Sequence, residues 1–314
     1  MRTFPQVLRE NAVHTDRAVT FLRANGDERR VSFPDLWRES CRRAQALYGL
    51  GLSKGDRIAL VLPEPDEFVL TFMACLSAGI VAVPMYPPAT LAKMEAYGDT
   101  VRHILSASGA KVLVTSAALR DLMSEHLAGH TSARVVLESE IRGSEGDERE
   151  PEPVALEDLA FLQFTSGSTS RPKGVMVTFE NLAANAHAIM VDGLKSTPAD
   201  KGVSWLPLYH DMGLIGFLMA PLSTQLSIDY LTPRDFARRP MQWLNIISNN
   251  RGTIAYSPSF GYDLATRRAG TKIPPGLDLS CWRHAGIGGD MIRPDVLERF
   301  AAAFGPSGFD RKAF

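Results

Sequence analysis

The sequence has no apolar run long enough to span a bilayer. The longest such stretches lie near 68–76 and 213–222, well short of the roughly 20 residues a spanning helix needs. Its first residues, MRTFPQVLRENA, lack the basic start and apolar stretch of a secretory signal. Charge of one sign is missing too. A formal net charge of −1 gives no field to gather nucleic acid or an anionic membrane, so any nucleotide bound is small and held locally. Cysteine is scarce. Cys41, Cys75 and Cys281 are an odd, scattered set, which argues against a disulfide framework and against a CxxC metal site. A reduced cytosol is the simplest compartment for such a chain, and no residue is assigned to a metal. There is no internal repeat, no low-complexity tract and no GxxxxGK[ST] loop.

What is present suits a globular α/β protein. The 314 residues are 45% hydrophobic, enough for a sizeable core in one large domain or two smaller ones. Short runs rich in Val and Ile read as buried strands at 57–62, 80–84, 111–115, 133–137 and 159–164, then at 203–206, 228–231 and 253–256. Segments of helical period lie between them, at 67–78, 93–106, 180–191, 212–222, 241–248 and 294–304. That alternation implies parallel strands with crossover helices, covered on both faces. The acidic, apolar-poor stretch 142–153 reads as a solvated connector. Two α/β lobes are expected: 1–175, closing on a phosphate loop, and 176–314, incomplete at its end.

The strongest local signal is FLQFTSGSTSRPKGVMV at 161–177. A buried strand runs into Thr165, Ser166, Gly167, Ser168 and Thr169, followed by a Pro172-Lys173-Gly174 turn. Small and hydroxyl residues can turn tightly and offer N–H and O–H donors together, which is what polyphosphate oxygens need. Lys173 adds a mobile positive charge to neutralise a leaving pyrophosphate. A plain Ser/Thr linker is the competing reading. As a phosphate cradle, the loop is expected to be mobile without nucleotide.

A second signal is VSWLPLYHDMGL at 203–214. His210 opens a helix, where the positive helix end helps it meet a carboxylate or phosphate oxygen; a capping histidine is the alternative. Behind it the apolar residues Met212, Ile215 and Met219 face either a lipid or the core. The stretches SPSFGYDLATRR (257–268) and HAGIGGDMIR (284–293) add glycines that allow close approach of backbone to a ligand, or simply an ordinary turn.

Taken together, these segments resemble the adenylate-forming superfamily, and WLP-aromatic-HDMGL resembles its fatty acyl-AMP ligase branch. The resemblance covers nearly all the chain, from about 4 to 314. It implies ATP and Mg²⁺ as cofactors, a fatty acid substrate, and an acyl carrier protein as the acceptor. It places Thr165, Ser166, Gly167, Ser168, Thr169 and Lys173 on the ATP phosphates, and His210 and Lys173 in catalytic roles. Gly288, Gly289 and Asp290 would hold adenine; Met212, Ile215, Gly216, Met219, Phe260 and Gly261 would line the acyl pocket. The chain departs from the family at Ser170, where Gly is usual, and at Gly289-Asp290-Met291, where Ala-Glu-Pro is common.

The reaction so implied is attack of a carboxylate oxygen on the α-phosphorus of ATP with loss of pyrophosphate. The resemblance further implies a magnesium-linked acid, a ribose-binding Asp and a catalytic Lys beyond residue 314, so residues 1–314 alone are expected to form no acyl-AMP. An acyl-CoA synthetase and a non-catalytic acyl- or nucleotide-binding module remain as alternatives.

Overall fold

A computed structural model of the chain describes residues 1–23, 25–88, 94–142, 150–165, 171–270 and 273–314. Most of the expected acidic connector falls in 143–149, outside the described residues. The described residues form twelve strands: β1 (Ala18–Leu22), β2 (Glu28–Ser32), β3 (Arg57–Val61), β4 (Val81–Pro84), β5 (Val112–Thr115), β6 (Arg134–Leu137), β7 (Leu159–Thr165), β8 (Lys173–Thr178), β9 (Lys201–Ser204), β10 (Ser227–Leu231), β11 (Ile254–Ser257) and β12 (His284–Ile287). They make two six-stranded sheets, in the orders β6-β5-β3-β4-β7-β8 and β12-β11-β9-β10-β1-β2. No described helix is long and apolar enough to cross a membrane.

The expected parallel pairing holds in both sheets except at one edge each. β8 runs antiparallel to β7, and β2 antiparallel to β1. Neither edge pair was legible as a hairpin from the apolar pattern. β8 leaves Val175 and Met176 exposed, and β2 alternates Glu28, Arg29 and Arg30 before its one buried residue, Val31. The charged edge at β2 keeps its sheet from pairing with other chains.

Contacts divide the chain into two units, residues 1–13 with 33–185, and 14–32 with 186–314. The division thus falls at 185/186 rather than at 175/176, and the β1–β2 hairpin belongs to the second unit because β1 pairs with β10.

In the first unit, helix Pro65–Ser77 is apolar on nearly every side and is buried on nearly every side. Helix Met94–Ser108 lays Val101, Ile104 and Leu105 on Ala59, Val83 and Leu113 of the sheet. A fully buried Arg43 is held by Glu138 at 2.6 Å and Thr71 at 3.3 Å.

In the second unit, Val203, Phe217, Trp243, Tyr262, Trp282 and Phe300 share one aromatic-rich core. The apolar segment after His210 forms a helix from Asp211 to Ser223 whose middle, Ile215–Met219, is a π turn. Pro221 supplies a reason. It has no N–H for the carbonyl four residues earlier, and that carbonyl, Phe217 O, instead accepts the buried Tyr230 hydroxyl at 2.5 Å.

Candidate active site

In the first unit the phosphate-loop segment joins two antiparallel strands. Thr165 pairs with Lys173 and Phe164 with Gly174, so the pairing of β7 and β8 holds up to both ends of that segment. Ser166, Gly167, Ser168 and Thr169, and with them the expectation of a mobile loop, lie outside the described residues. Thr165 and Lys173 are both exposed at the hairpin's end. Among the described residues no carboxylate forms a salt bridge with Lys173, which leaves its charge available to an anion. A Cβ at Gly174 would sit 2.9 Å from the Phe164 ring, so a larger residue there would push that ring aside. Just before Lys173, the Pro172 carbonyl lies 3.0 Å from His103 Nε2. A carbonyl only accepts, so Nε2 carries the proton and donates. His103 thus fixes the exit of that segment from helix Met94–Ser108. Sequence reasoning missed it, because a single histidine on an amphipathic helix carries no signal of its own.

In the second unit, β9 delivers Trp205 and Leu206 into the core, and the chain turns at Pro207, whose carbonyl accepts the His210 N–H at 3.2 Å. His210 stands just before the helix that begins at Asp211. Its Nδ1 lies 3.4 Å from Met212 N and 2.7 Å from Asp211 Oδ1. The two contacts ask opposite roles of Nδ1. The Met212 N–H already has Asp211 Oδ1 at 2.7 Å, so Nδ1 is best read as the donor to Asp211. Nε2, on an exposed ring, has no partner among the described residues. Gly213 cannot be replaced without moving this turn, because a Cβ would overlap the Pro207 carbonyl.

His210 stands at the rim of an apolar cavity of about 260 Å³. Its walls come from the residues that follow four parallel strands: Trp205, Leu206 and Pro207 after β9, Pro233 after β10, Pro258 and Phe260 after β11, and Gly289 after β12; Met212 and Gly213 complete it. The chain goes from β9 to β10 on one side and returns to β11 on the other. The cavity therefore lies at the carboxyl ends of the strands where the sheet order reverses, the usual ligand position in an open α/β sheet. Aromatic contacts stiffen one wall. Trp205 stacks on Phe236 with ring centres 3.8 Å apart, and Phe260 meets Trp205 edge-on at 5.7 Å.

The fold brings His210, expected in a catalytic role, together with Met212 and Phe260 of the expected acyl pocket and Gly289 of the expected adenine site around this cavity. Gly288 lies beside it, with the Met212 sulfur 3.6 Å from where its Cβ would be. Gly289 adopts φ +78°, which favours glycine. Ile215 and Gly216 are half-buried on the next turn, and the space beside Gly216 is open. Met219 is fully buried. Gly261 is also buried, its Cβ position overlapped by Ser257 Oγ and 2.8 Å from Trp205. A bulky residue there would break the wall rather than fill the cavity. Asp290 accepts backbone hydrogen bonds from Ser259 and Phe260. Pro233 and Pro258, not anticipated, could have been found by asking which residue follows each strand.

An open, mainly parallel sheet with a cavity at the carboxyl ends of its strands belongs to the doubly wound class of α/β proteins. Within that class the chain belongs to the AMP-binding enzyme family, whose family model matches residues 8–310. A putative acyl-CoA synthetase of Caulobacter vibrioides is 43% identical over 289 residues, 90% of this chain and 49% of that protein. The medium-chain-fatty-acid–[acyl-carrier-protein] ligase JamA of Moorena producens is 32% identical over 309 residues, 95% of this chain and 50% of that protein. Among solved structures, the fatty acyl-adenylate ligase from L. pneumophila in complex with acyl adenylate and pyrophosphate superposes with a TM-score of 0.89 at 32% identity, covering 99% of this chain and 54% of that one. The chain thus spans about half the length of the curated relatives it matches.

Proposed function

We propose that the chain belongs to an enzyme that activates a fatty acid as acyl adenylate, releases pyrophosphate and passes the acyl group to an acyl carrier protein. The observation that carries this is the apolar cavity of about 260 Å³ with an exposed imidazole at its rim. An alkyl chain fits apolar walls, and its carboxylate is left where Nε2 of His210 can donate to it or to the α-phosphate when the ring is protonated. Each buried methylene contributes about 0.8 kcal/mol, so a medium or long chain is favoured over acetate.

In the proposed reaction a carboxylate oxygen attacks the α-phosphorus, the bond to the bridging oxygen breaks, and that oxygen leaves with pyrophosphate. The protein's task is positioning and charge neutralisation. Lys173 and the hydroxyl-rich segment 165–169 are assigned to the leaving phosphates. Among the described residues no group of three or more His, Cys, Asp or Glu could hold a metal ion. Mg²⁺ would be bound by the phosphates together with one or two carboxylates, as is usual for this ion, and would neutralise phosphate charge. The relatives support the reading: one is described with acyl adenylate and pyrophosphate, and another is named for a carrier-protein acceptor.

A second reading, transfer to CoA, is favoured by the name of the Caulobacter relative. Pyrophosphate release by the complete enzyme, measured across acids of increasing length with CoA or with holo-acyl carrier protein, tests both. Acid-dependent release with thioester formed only on the carrier protein is expected. Acyl-CoA formation would favour the second reading, and no acid-dependent release would defeat both.

A further inference from the structure

Two facing walls of the cavity are bound to each other through one carboxylate. Asp290 follows the glycine turn, and its Oδ1 and Oδ2 accept the backbone N–H groups of Ser259 at 3.0 Å and Phe260 at 3.4 Å. Those are the first N–H groups of helix Ser259–Ala269, which have no partner within the helix. Negative charge is also favoured at that end. The tie is doubled by Ser259, whose buried hydroxyl donates to Met291 O at 3.0 Å and accepts from Arg293 N at 3.2 Å. Phe260 and Gly289 both line the cavity. The cap therefore comes from a segment thirty residues along the chain, where a helix is ordinarily capped by the residue just before it. Here that residue is Pro258, which forms no side-chain cap.

We propose that Asp290 is a positioning residue for the acyl site: it ties the glycine turn to the first turn of helix Ser259–Ala269, so that the two walls keep a fixed separation. This rests on reading the cavity as the acyl site. Asp290 touches neither reactant in this role; it acts through Phe260 and Gly289.

The test compares Asp290→Ala, which removes both acceptors, with Asp290→Asn, which keeps one oxygen for Ser259, in the complete enzyme. Hydrogen exchange is followed in peptides covering 257–262 and 284–291, and KM for decanoate and for ATP is measured well below the melting temperature. Asp290→Ala is expected to raise exchange in both segments. KM for decanoate should rise about fivefold, which is what ~1 kcal/mol of lost capping converts to. Asp290→Asn should restore most of both. Faster exchange confined to 257–262, or a lower kcat with unchanged KM for decanoate, would reduce Asp290 to a local helix cap and overturn the proposal. Should the wild-type enzyme release pyrophosphate with no acid at all, the acyl reading fails, and the two exchange peptides alone decide whether Asp290 ties the walls.

Discussion

The two sheets repeat one topology with different chemistry. In the first unit four parallel strands in chain order, β3 to β6, lie as β6-β5-β3-β4, and in the second β9 to β12 lie as β12-β11-β9-β10. Each set is extended by a hairpin whose inner strand is parallel to its neighbour and whose outer strand is antiparallel. The hairpin follows its four strands in the first unit and precedes them in the second. Sequence shows no repeat, because the side chains diverge where function sits. After β9 to β12 come Trp, Pro and Gly residues that leave an apolar cavity. After β6 comes the buried Glu138, paired with Arg43, and the exposed Thr165 and Lys173, proposed for the phosphates, sit instead at the ends of β7 and β8. A fold of this kind supplies strand ends, and the residues just beyond them supply the chemistry.

The sharpest way to break the comparison is at Gly213. A Cβ there runs into the Pro207 carbonyl, a backbone group with little freedom to move. Gly213→Ala should cost ~3 kcal/mol, an overpacking penalty, and displace His210. Gly216→Ala, three residues on with open space around it, should stay within ~1 kcal/mol of wild type. Urea unfolding of the pair measures both. Equal stabilities would mean that the turn before His210 is not locked as described.

Next in size is the hydroxyl that completes the π turn. Burial holds the Tyr230 phenol well above its usual pKa, so it stays a donor to Phe217 O across the accessible pH range. Tyr230→Phe leaves that carbonyl unpaired in a buried place and should cost ~2 kcal/mol. A thermal midpoint unchanged from wild type would show that the carbonyl finds another donor.

A smaller effect is expected in the first unit. Lys173 lies at the hairpin's end and makes no salt bridge among the described residues, so removing it costs little stability. Lys173→Ala should raise KM for ATP about tenfold, the loss of one charge-assisted phosphate contact, with KM for the fatty acid nearly unchanged. Steady-state kinetics with each substrate varied in turn would show it. A change in the acid's KM alone would move Lys173 off the phosphates.

Periodicity made most of the parallel core legible, because buried strands such as RIALVL and VLVT are continuous apolar runs in sequence. Helix Pro294–Phe304 was readable to the residue, since Pro opens it and Val296, Phe300 and Phe304 repeat on one face. The edge strands were not legible. Their burial pattern is set by having a neighbour on one side only, and β8 exposes apolar residues as freely as polar ones. At the site, the motifs pointed to His210, Met212, Phe260 and Gly289, which line the cavity. They could not separate Met212, on the cavity wall, from Met219, in the core. Both lie on one apolar helix, and only the π turn and the neighbouring strands decide which faces open space. The cap from Asp290 and the anchor from His103 join residues far apart in sequence, a relation that no local pattern encodes.

The smallest expected effect, and the one that most sharpens the contrast between polar and apolar strand ends, concerns Glu67. Burial pushes its carboxyl up from 4.5 to about 7, with the nearby charges of Glu138, Asp66 and Glu64 adding to the shift and Arg142 opposing it. One of its oxygens is buried without a hydrogen-bond partner. The folded chain thus keeps the Glu67 proton over a range in which the unfolded chain has lost it. Folding takes up a proton between about 4.5 and about 7, and stability falls as pH rises through that window, then levels off above it. Because Glu67 is only half-buried, water screens part of the penalty, and ~1 kcal/mol is the expected size at neutral pH and above. Glu67→Gln, which imitates the protonated form, should match wild type near pH 4.5 and exceed it by that amount at pH 8. Urea midpoints at the two pH values provide the measurement. A glutamine variant less stable than wild type at pH 8 would mean that Glu67 is ionised there and stabilised by Arg142, so that the charged side of the first unit resembles a satisfied ion network rather than a strained one.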